Sequence, residues 1–172
     1  MIPLRFTEAD AIRANEEWRC NCGPAAIAAI MGLSLDEVRP HLSDFEQRGY
    51  MPTSMMWFVL NRLGAKLDKK NFNPVTRRDR DGNPPAWPRW GIARIQWEGP
   101  WLKPGVPMNV RSLYTHWVGS CSLLQATHVG IFDINCMETG GWVSVSDWTG
   151  KVVELPELPI SAREPARGGS RP

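Results

Sequence analysis

Residues 23–32 read Gly-Pro-Ala-Ala-Ile-Ala-Ala-Ile-Met-Gly, and this run constrains the fold more than any other segment. Proline belongs in the first turn of a helix and glycine just past its end. The helix between them is apolar nearly all round, so it has to be buried centrally rather than lie on a surface. A chain of 172 residues reads as one domain. It is long enough to bury such a helix without disulfide or metal staples. With 42% hydrophobic and 22% charged residues, it is ordinary globular material, which excludes a dominantly disordered, collagen-like or coiled-coil chain.

Around this helix the first third reads as helical. Ser34-Leu35-Asp36-Glu37 is a capping-box pattern that starts a short helix running to about Leu42. Thr53 or Ser54 caps a further helix whose Met55, Met56, Val59, Leu60 and Leu63 share a face, with Gly64 as its stop. From Lys66 to Trp90 a polar, turn-rich loop follows. Strand-like segments come next at Gly91–Trp97, Val106–Val110, Thr115–Cys121, His128–Ile134, Trp142–Trp148 and Lys151–Leu155. Helices first and strands later give an α+β domain, a helical half packed on an antiparallel sheet. The domain spans 1–161, and 162–172 is a mobile tail with no apolar anchor.

A formal net charge of +2 leaves no electrostatic footprint for nucleic acid. The longest apolar stretch, Ala25 to Leu33, is too short to span a bilayer. The N-terminus lacks the pattern of a secretory signal. Four Cys in this length are too few for a disulfide scaffold. We therefore expect a reducing, cytoplasmic setting, and a stand-alone accessory protein of bacterial or phage style. The Cys spacing, Cys20-x-Cys22 followed by single Cys121 and Cys136, lacks the paired knuckles of a zinc site. No metal or other cofactor is expected.

The chemistry concentrates at Cys22, directly before Gly23-Pro24. A thiolate at a helix start faces unpaired backbone N–H groups and the positive end of the helix dipole, and both lower its pKa. His116 sits on one strand and Asp133 on the next. A His that takes a proton from Cys needs a third group to orient its ring. Asn135 shares a strand face with Asp133 by the two-residue period and is an alternative orienting group. Asp147 is a second alternative, unless it caps a turn. His128 competes with His116, but its odd spacing from Asp133 sets the two on opposite faces. His41 belongs to a charged, solvent-facing helix. Trp87, Trp90, Trp97 and Trp101 read first as packing for a loop-rich core, and second as an aromatic binding platform.

Asn21-Cys22-Gly23-Pro24-Ala25-Ala26, the helix ending Leu63-Gly64, His116-Trp117-Val118 and Asp133 together resemble papain-like cysteine peptidases. The nearest variety is the bacteriocin-processing, double-glycine-leader group. The resemblance covers roughly residues 16–150, and the Cys segment is its specific part. It implies a papain-like fold with Cys22 as nucleophile, His116 as general base and Asp133 as orienting acid. It also implies a thiol hydrolase or acyl-transfer enzyme acting on a peptide, isopeptide or other amide. Members of the group carry a Gln six residues before the Cys, whose amide completes the oxyanion hole. Here that position is Glu16, flanked by Asn15 and Glu17. An ionised Glu repels an oxyanion, so the alternative is an inactive papain-like module that binds a protein partner or joins a larger assembly.

Overall fold

The computed structural model describes residues 2–19, 21–67, 87, 90–97, 99–107, 110, 114–122, 129–148 and 152–163. Among the described residues five helices come first: α1 (Glu8–Trp18), α2 (Cys22–Met31), α3 (Leu35–Val38), α4 (Phe45–Arg48) and α5 (Thr53–Arg62). A 3-10 turn, Arg39–His41, follows α3. The strands are β1 (Lys66–Leu67), β2 (Trp90–Trp97), β3 (Thr115–Ser122), β4 (Val129–Phe132), β5 (Trp142–Ser144) and β6 (Val152–Arg163). A 3-10 segment, Ile134–Thr139, links β4 to β5, and one helical turn, α6 (Val145–Trp148), follows β5. The six strands among the described residues form one sheet in the order β1-β6-β2-β3-β4-β5, every neighbour antiparallel. The architecture is α+β.

α2 is the central element. Ala25 to Ala29 are fully enclosed, as an all-round apolar helix requires. Gly32 ends it in the left-handed region at φ 64°, and the Leu33 N–H turns back to the Ala28 carbonyl at 2.9 Å. The helix crosses β3 at Gly119. A Cβ there would stand 2.9 Å from Ile30 Cγ2 and 3.2 Å from Phe132 Cβ, so glycine allows the close approach.

The two-residue period splits the sheet residues between two faces. Trp90, Ile92, Trp117, Phe132 and Trp142 join the helices in the main core. Ala93, Ile95, Val118, Ile131 and Trp148 form a second cluster on the opposite face. Register pairs Ile95 with His116, so His116 leaves the sheet on the second face.

The structure corrects several expectations. Val106 and Pro107 lie in a turn-rich segment, where the Val110 N–H donates to the Pro107 carbonyl, and not in a strand. The expected strand Trp142–Trp148 breaks after Ser144 because Ser144 starts α6 as a cap: its Oγ accepts from the Asp147 N–H. α5 opens at Thr53 with Pro52 in the capping position and no side-chain cap. The expected loop from Lys66 begins with the two residues of β1. The last strand reaches Arg163, so Ala162 and Arg163, expected in a mobile tail, pair with Leu67 and Lys66. His41 is half-buried rather than solvent-facing, its Nδ1 enclosed and without a hydrogen-bond partner. α1 and α4 are elements beyond the expected set. No helix among the described residues is long and apolar enough to cross a membrane.

Candidate functional site

Asp133 is the first residue beyond β4, and its backbone is fixed on both sides. Its N–H donates to the Gly141 carbonyl and its own carbonyl accepts from Cys136, both at 2.9 Å. The carboxylate is 1% exposed, on the sheet face that carries His116. His116 Nε2 lies 2.8 Å from Oδ1. The Asn135 backbone N–H donates to the same oxygen at 2.9 Å, and the Trp148 indole N–H donates to Oδ2 at 2.8 Å. Three donors on one buried carboxylate favour its charged form.

The balance at Asp133 can be read group by group. Burial is the largest influence and pushes the carboxyl up. The hydrogen bond and charge of His116, the Trp148 N–H and the Asn135 N–H together outweigh it, and hold Asp133 below the usual carboxylate range. An ionised carboxylate offers only acceptors, so the shared proton resides on Nε2. A neutral His116 ring then carries its lone pair on Nδ1. The tautomer follows from this hydrogen bonding.

Cys22 opens α2 and is half-buried against the main core. Its neighbour Asn21 occupies the capping position without a side-chain cap bond. The Asn21 amide donates instead to the Ala11 carbonyl at 2.8 Å, tying the start of α2 to α1. The direction of α2 across the sheet follows from three contacts. Trp90, paired with Cys121 at the far end of β3, donates to the Ile30 carbonyl. A Cβ on Gly119, at mid-strand, would meet Ile30 and Ala26. A Cβ on Gly23 would meet the Met51 side chain, and the Met51 carbonyl accepts from the Trp117 indole at 2.8 Å. The N-terminus of α2 therefore lies toward the end of β3 that carries His116. Trp117 faces the helix and His116 faces away from it, so the imidazole and the helix start belong to one end of the sheet but leave β3 on different sides.

A cleft of about 380 Å³ lies between α1 and the 3-10 segment. Asn21, next to Cys22, and Asn135, two residues past Asp133, both line it, together with Asn15, Glu16, Ile12 and Met137. Glu16, the residue at the expected oxyanion-donor position, is exposed in this cleft.

The remaining candidates separate clearly. Asn135 is in the 3-10 segment with an exposed side chain, not on a strand face with Asp133, and it serves Asp133 through its backbone. Asp147 is exposed and its carboxylate accepts from the Ser144 hydroxyl, so it braces the Ser144 cap of α6 rather than the His116 ring. Cys136 is a poor thiolate: burial first, and the Asp133 charge second, push its thiol up. Among the described residues Cys22, Cys121 and Cys136 are not joined in disulfides. Cys20 and His128 lie outside the described residues. Trp90 is buried, Trp87 packs edge-on against Trp148, and Trp101 stacks on Tyr114 with ring centroids 4.3 Å apart. Among the described residues no three His, Cys, Asp or Glu side chains come together as a metal site requires.

Trp148 is the site residue that sequence reasoning missed. Its signal was the Ser144-x-x-Asp147 cap, which turns the chain and delivers the indole to Asp133. Comparison with known proteins gave no matching family model, no matching curated protein and no matching solved structure.

Proposed function

We propose that this protein is a papain-like thiol hydrolase or acyl-transfer enzyme acting on an amide bond of a peptide or protein, with Cys22, His116 and Asp133 as its triad. The observation that carries the reading is the buried His116–Asp133 pair, whose carboxylate is saturated by donors. A structural histidine does not need an ionised, doubly supported carboxylate at Nε2. A general base does, because the pair fixes the tautomer and stabilises the imidazolium.

The chemistry runs in two halves. The two side chains lie on different sides of β3, so the thiol has to meet the imidazole around the end of the strand. There the Cys22 proton passes to His116 Nδ1, and the sulfur attacks the substrate carbonyl carbon. The C–N bond then breaks, and the amine leaves with the proton from Nδ1. Water or a second amine then attacks the thioester carbonyl and gives its proton to Nδ1; the C–S bond breaks and the proton returns to the Cys22 sulfur, giving hydrolysis or transfer. Backbone N–H groups at the start of α2 supply the oxyanion donors. The setting is a reducing, cytoplasmic one that keeps the thiols reduced.

The test is release of amine from a library of peptide amides. Wild type releases it, Cys22→Ala falls by about 10⁴-fold or more, and Cys20→Ala keeps most of the activity. Release that survives Cys22→Ala refutes the proposal.

One observation favours a second reading, an inactive module of the same fold that binds a protein partner. Glu16 puts an exposed carboxylate in the cleft where the resemblance calls for a neutral amide. Missing one oxyanion donor typically costs about 10²–10³ in rate.

A further inference from the structure

We propose that Trp148 is a positioning residue for the triad: its indole N–H anchors the second oxygen of Asp133 so that the first stays aimed at His116. The inference rests on the reading of His116–Asp133 as a working pair. Its structural basis is a connected set of contacts. Ser144 Oγ accepts from the Asp147 N–H at 3.2 Å and donates to the Asp147 carboxylate, which fixes the single turn of α6. That turn ends at Trp148, which is 8% exposed. Trp87 packs edge-on against the indole at 5.5 Å between centroids and holds the ring plane. The N–H then reaches Asp133 Oδ2 at 2.8 Å.

Without this bond, Oδ2 would be a buried acceptor with no donor among those described, and the carboxylate could rotate about its Cβ–Cγ bond. With it, both oxygens are assigned: Oδ1 to His116 and the Asn135 N–H, Oδ2 to Trp148. The surroundings offer little to replace it. β2 presents Ala93 and Ile95 to this face, β3 presents Val118 and the buried Ser120, and β4 presents Ile131, which pairs with Ser120. Among the described residues the titratable groups here are His116, Cys136 and Asp133 itself, and Asp147 is turned to solvent, bonded to the Ser144 cap. Groups that orient a working residue through hydrogen bonds typically cost 10–100-fold when removed from metal sites, and the same lever operates here.

The test uses Trp148→Phe, which keeps an aromatic ring against Trp87 but removes the N–H. Two readouts are taken: the Asp133 carboxyl titration followed by 13Cγ NMR, and the rate of Cys22 alkylation by iodoacetamide at neutral pH. The Asp133 midpoint moves up, because a donor to the charged form is gone. Alkylation of Cys22 slows by about tenfold or more. In an Asp133→Asn background the same Trp148→Phe change has no further effect on alkylation, since the tryptophan acts through the carboxylate. Asp147→Ala, a surface change that loosens the α6 cap, moves the Asp133 midpoint the same way by a smaller amount and serves if Trp148→Phe does not fold.

An Asp133 midpoint that stays put in the folded Trp148→Phe protein overturns the proposal. If only Asp147→Ala folds, an unmoved midpoint there does so. Failure of the triad itself gives a different pattern: Cys22 alkylation is then slow in wild type and indifferent to His116→Ala, while the Asp133 midpoint still reports on the tryptophan.

Discussion

Replacing Asp133 by Asn tests the buried pair through stability alone, without any substrate. The wild-type carboxylate accepts from His116 Nε2, the Asn135 N–H and the Trp148 N–H. An amide of the same shape has one accepting atom and one donating atom. If its oxygen takes the place of Oδ1, its NH₂ faces the Trp148 N–H. If the amide flips, its NH₂ faces the Asn135 N–H. Either way at least one buried donor is orphaned, at about 1–3 kcal/mol, and charge-assisted bonds worth about 1.5–3 kcal/mol each are weakened. We expect Asp133→Asn to lose about 3 kcal/mol at pH 7 by urea unfolding with an unchanged m-value. Asp147→Asn, at an exposed cap, loses about 1 kcal/mol or less.

The pH dependence has a definite sign. The folded Asp133 pKa lies below its unfolded value. The carboxylate's stabilisation is therefore fully present above the unfolded value, about 3.9, and is lost as pH falls through the folded one. The gap between wild type and Asp133→Asn narrows below about pH 4. Equal stability at pH 7, or a gap that stays constant into acid, would refute the reasoning.

Three further outcomes follow from the packing and the cleft. Gly119→Ala drives a methyl into Ile30 and Phe132, and we expect a loss of about 1–3 kcal/mol in thermal or denaturant melts. Thr7→Ala removes the α1 capping box, in which Thr7 and Asp10 exchange side-chain bonds, and costs about 1 kcal/mol. Glu16→Gln supplies an amide where the exposed carboxylate stood, and we expect faster acylation of Cys22 by p-nitrophenyl acetate, by up to about 10²-fold; an unchanged rate places Glu16 outside the reacting centre.

Legibility in the sequence followed the strength of local signals. α2 was readable because Gly23-Pro24, Gly32 and an unbroken apolar run all agree, and no tertiary context overrides three consistent signals. The Ser34 capping box was readable for the same reason and is present with both reciprocal bonds. α1 was not, because its buried face consists of Ala11, Ala14 and Trp18 alone and its N3 residue is Asp10 where a longer acid is usual. β2, β3 and β4 are legible near their true bounds because short runs rich in Ile, Val, Trp and Phe, as at Trp117-Val118 and Ile131-Phe132, are set off by turn residues. Trp142–Trp148 misled because its alternation of apolar and polar residues persists through α6, although only three residues are extended.

At the site, Asp133 and His116 were identified as a pair from their places on consecutive strands. The supporting atoms were invisible: a backbone N–H from Asn135 has no sequence signature, and the Trp148 indole arrives only because α6 turns. The two-residue period carries β4 on to Asn135, whereas the chain leaves extended geometry at Ile134. The side of β3 from which each ring leaves also depended on register, which the sequence pattern alone leaves open.

The most direct test of the central claim is the pH profile of Cys22 alkylation, with iodoacetamide and mass-spectrometric mapping of each thiol, in wild type and His116→Ala. Cys22 is expected to react well at pH 6, far ahead of Cys121 and Cys136, and His116→Ala to push its reactivity up to the range of an ordinary thiol, about pH 8.5. A Cys22 that reacts no faster than Cys121 at pH 6, with a profile unmoved by His116→Ala, would contradict it.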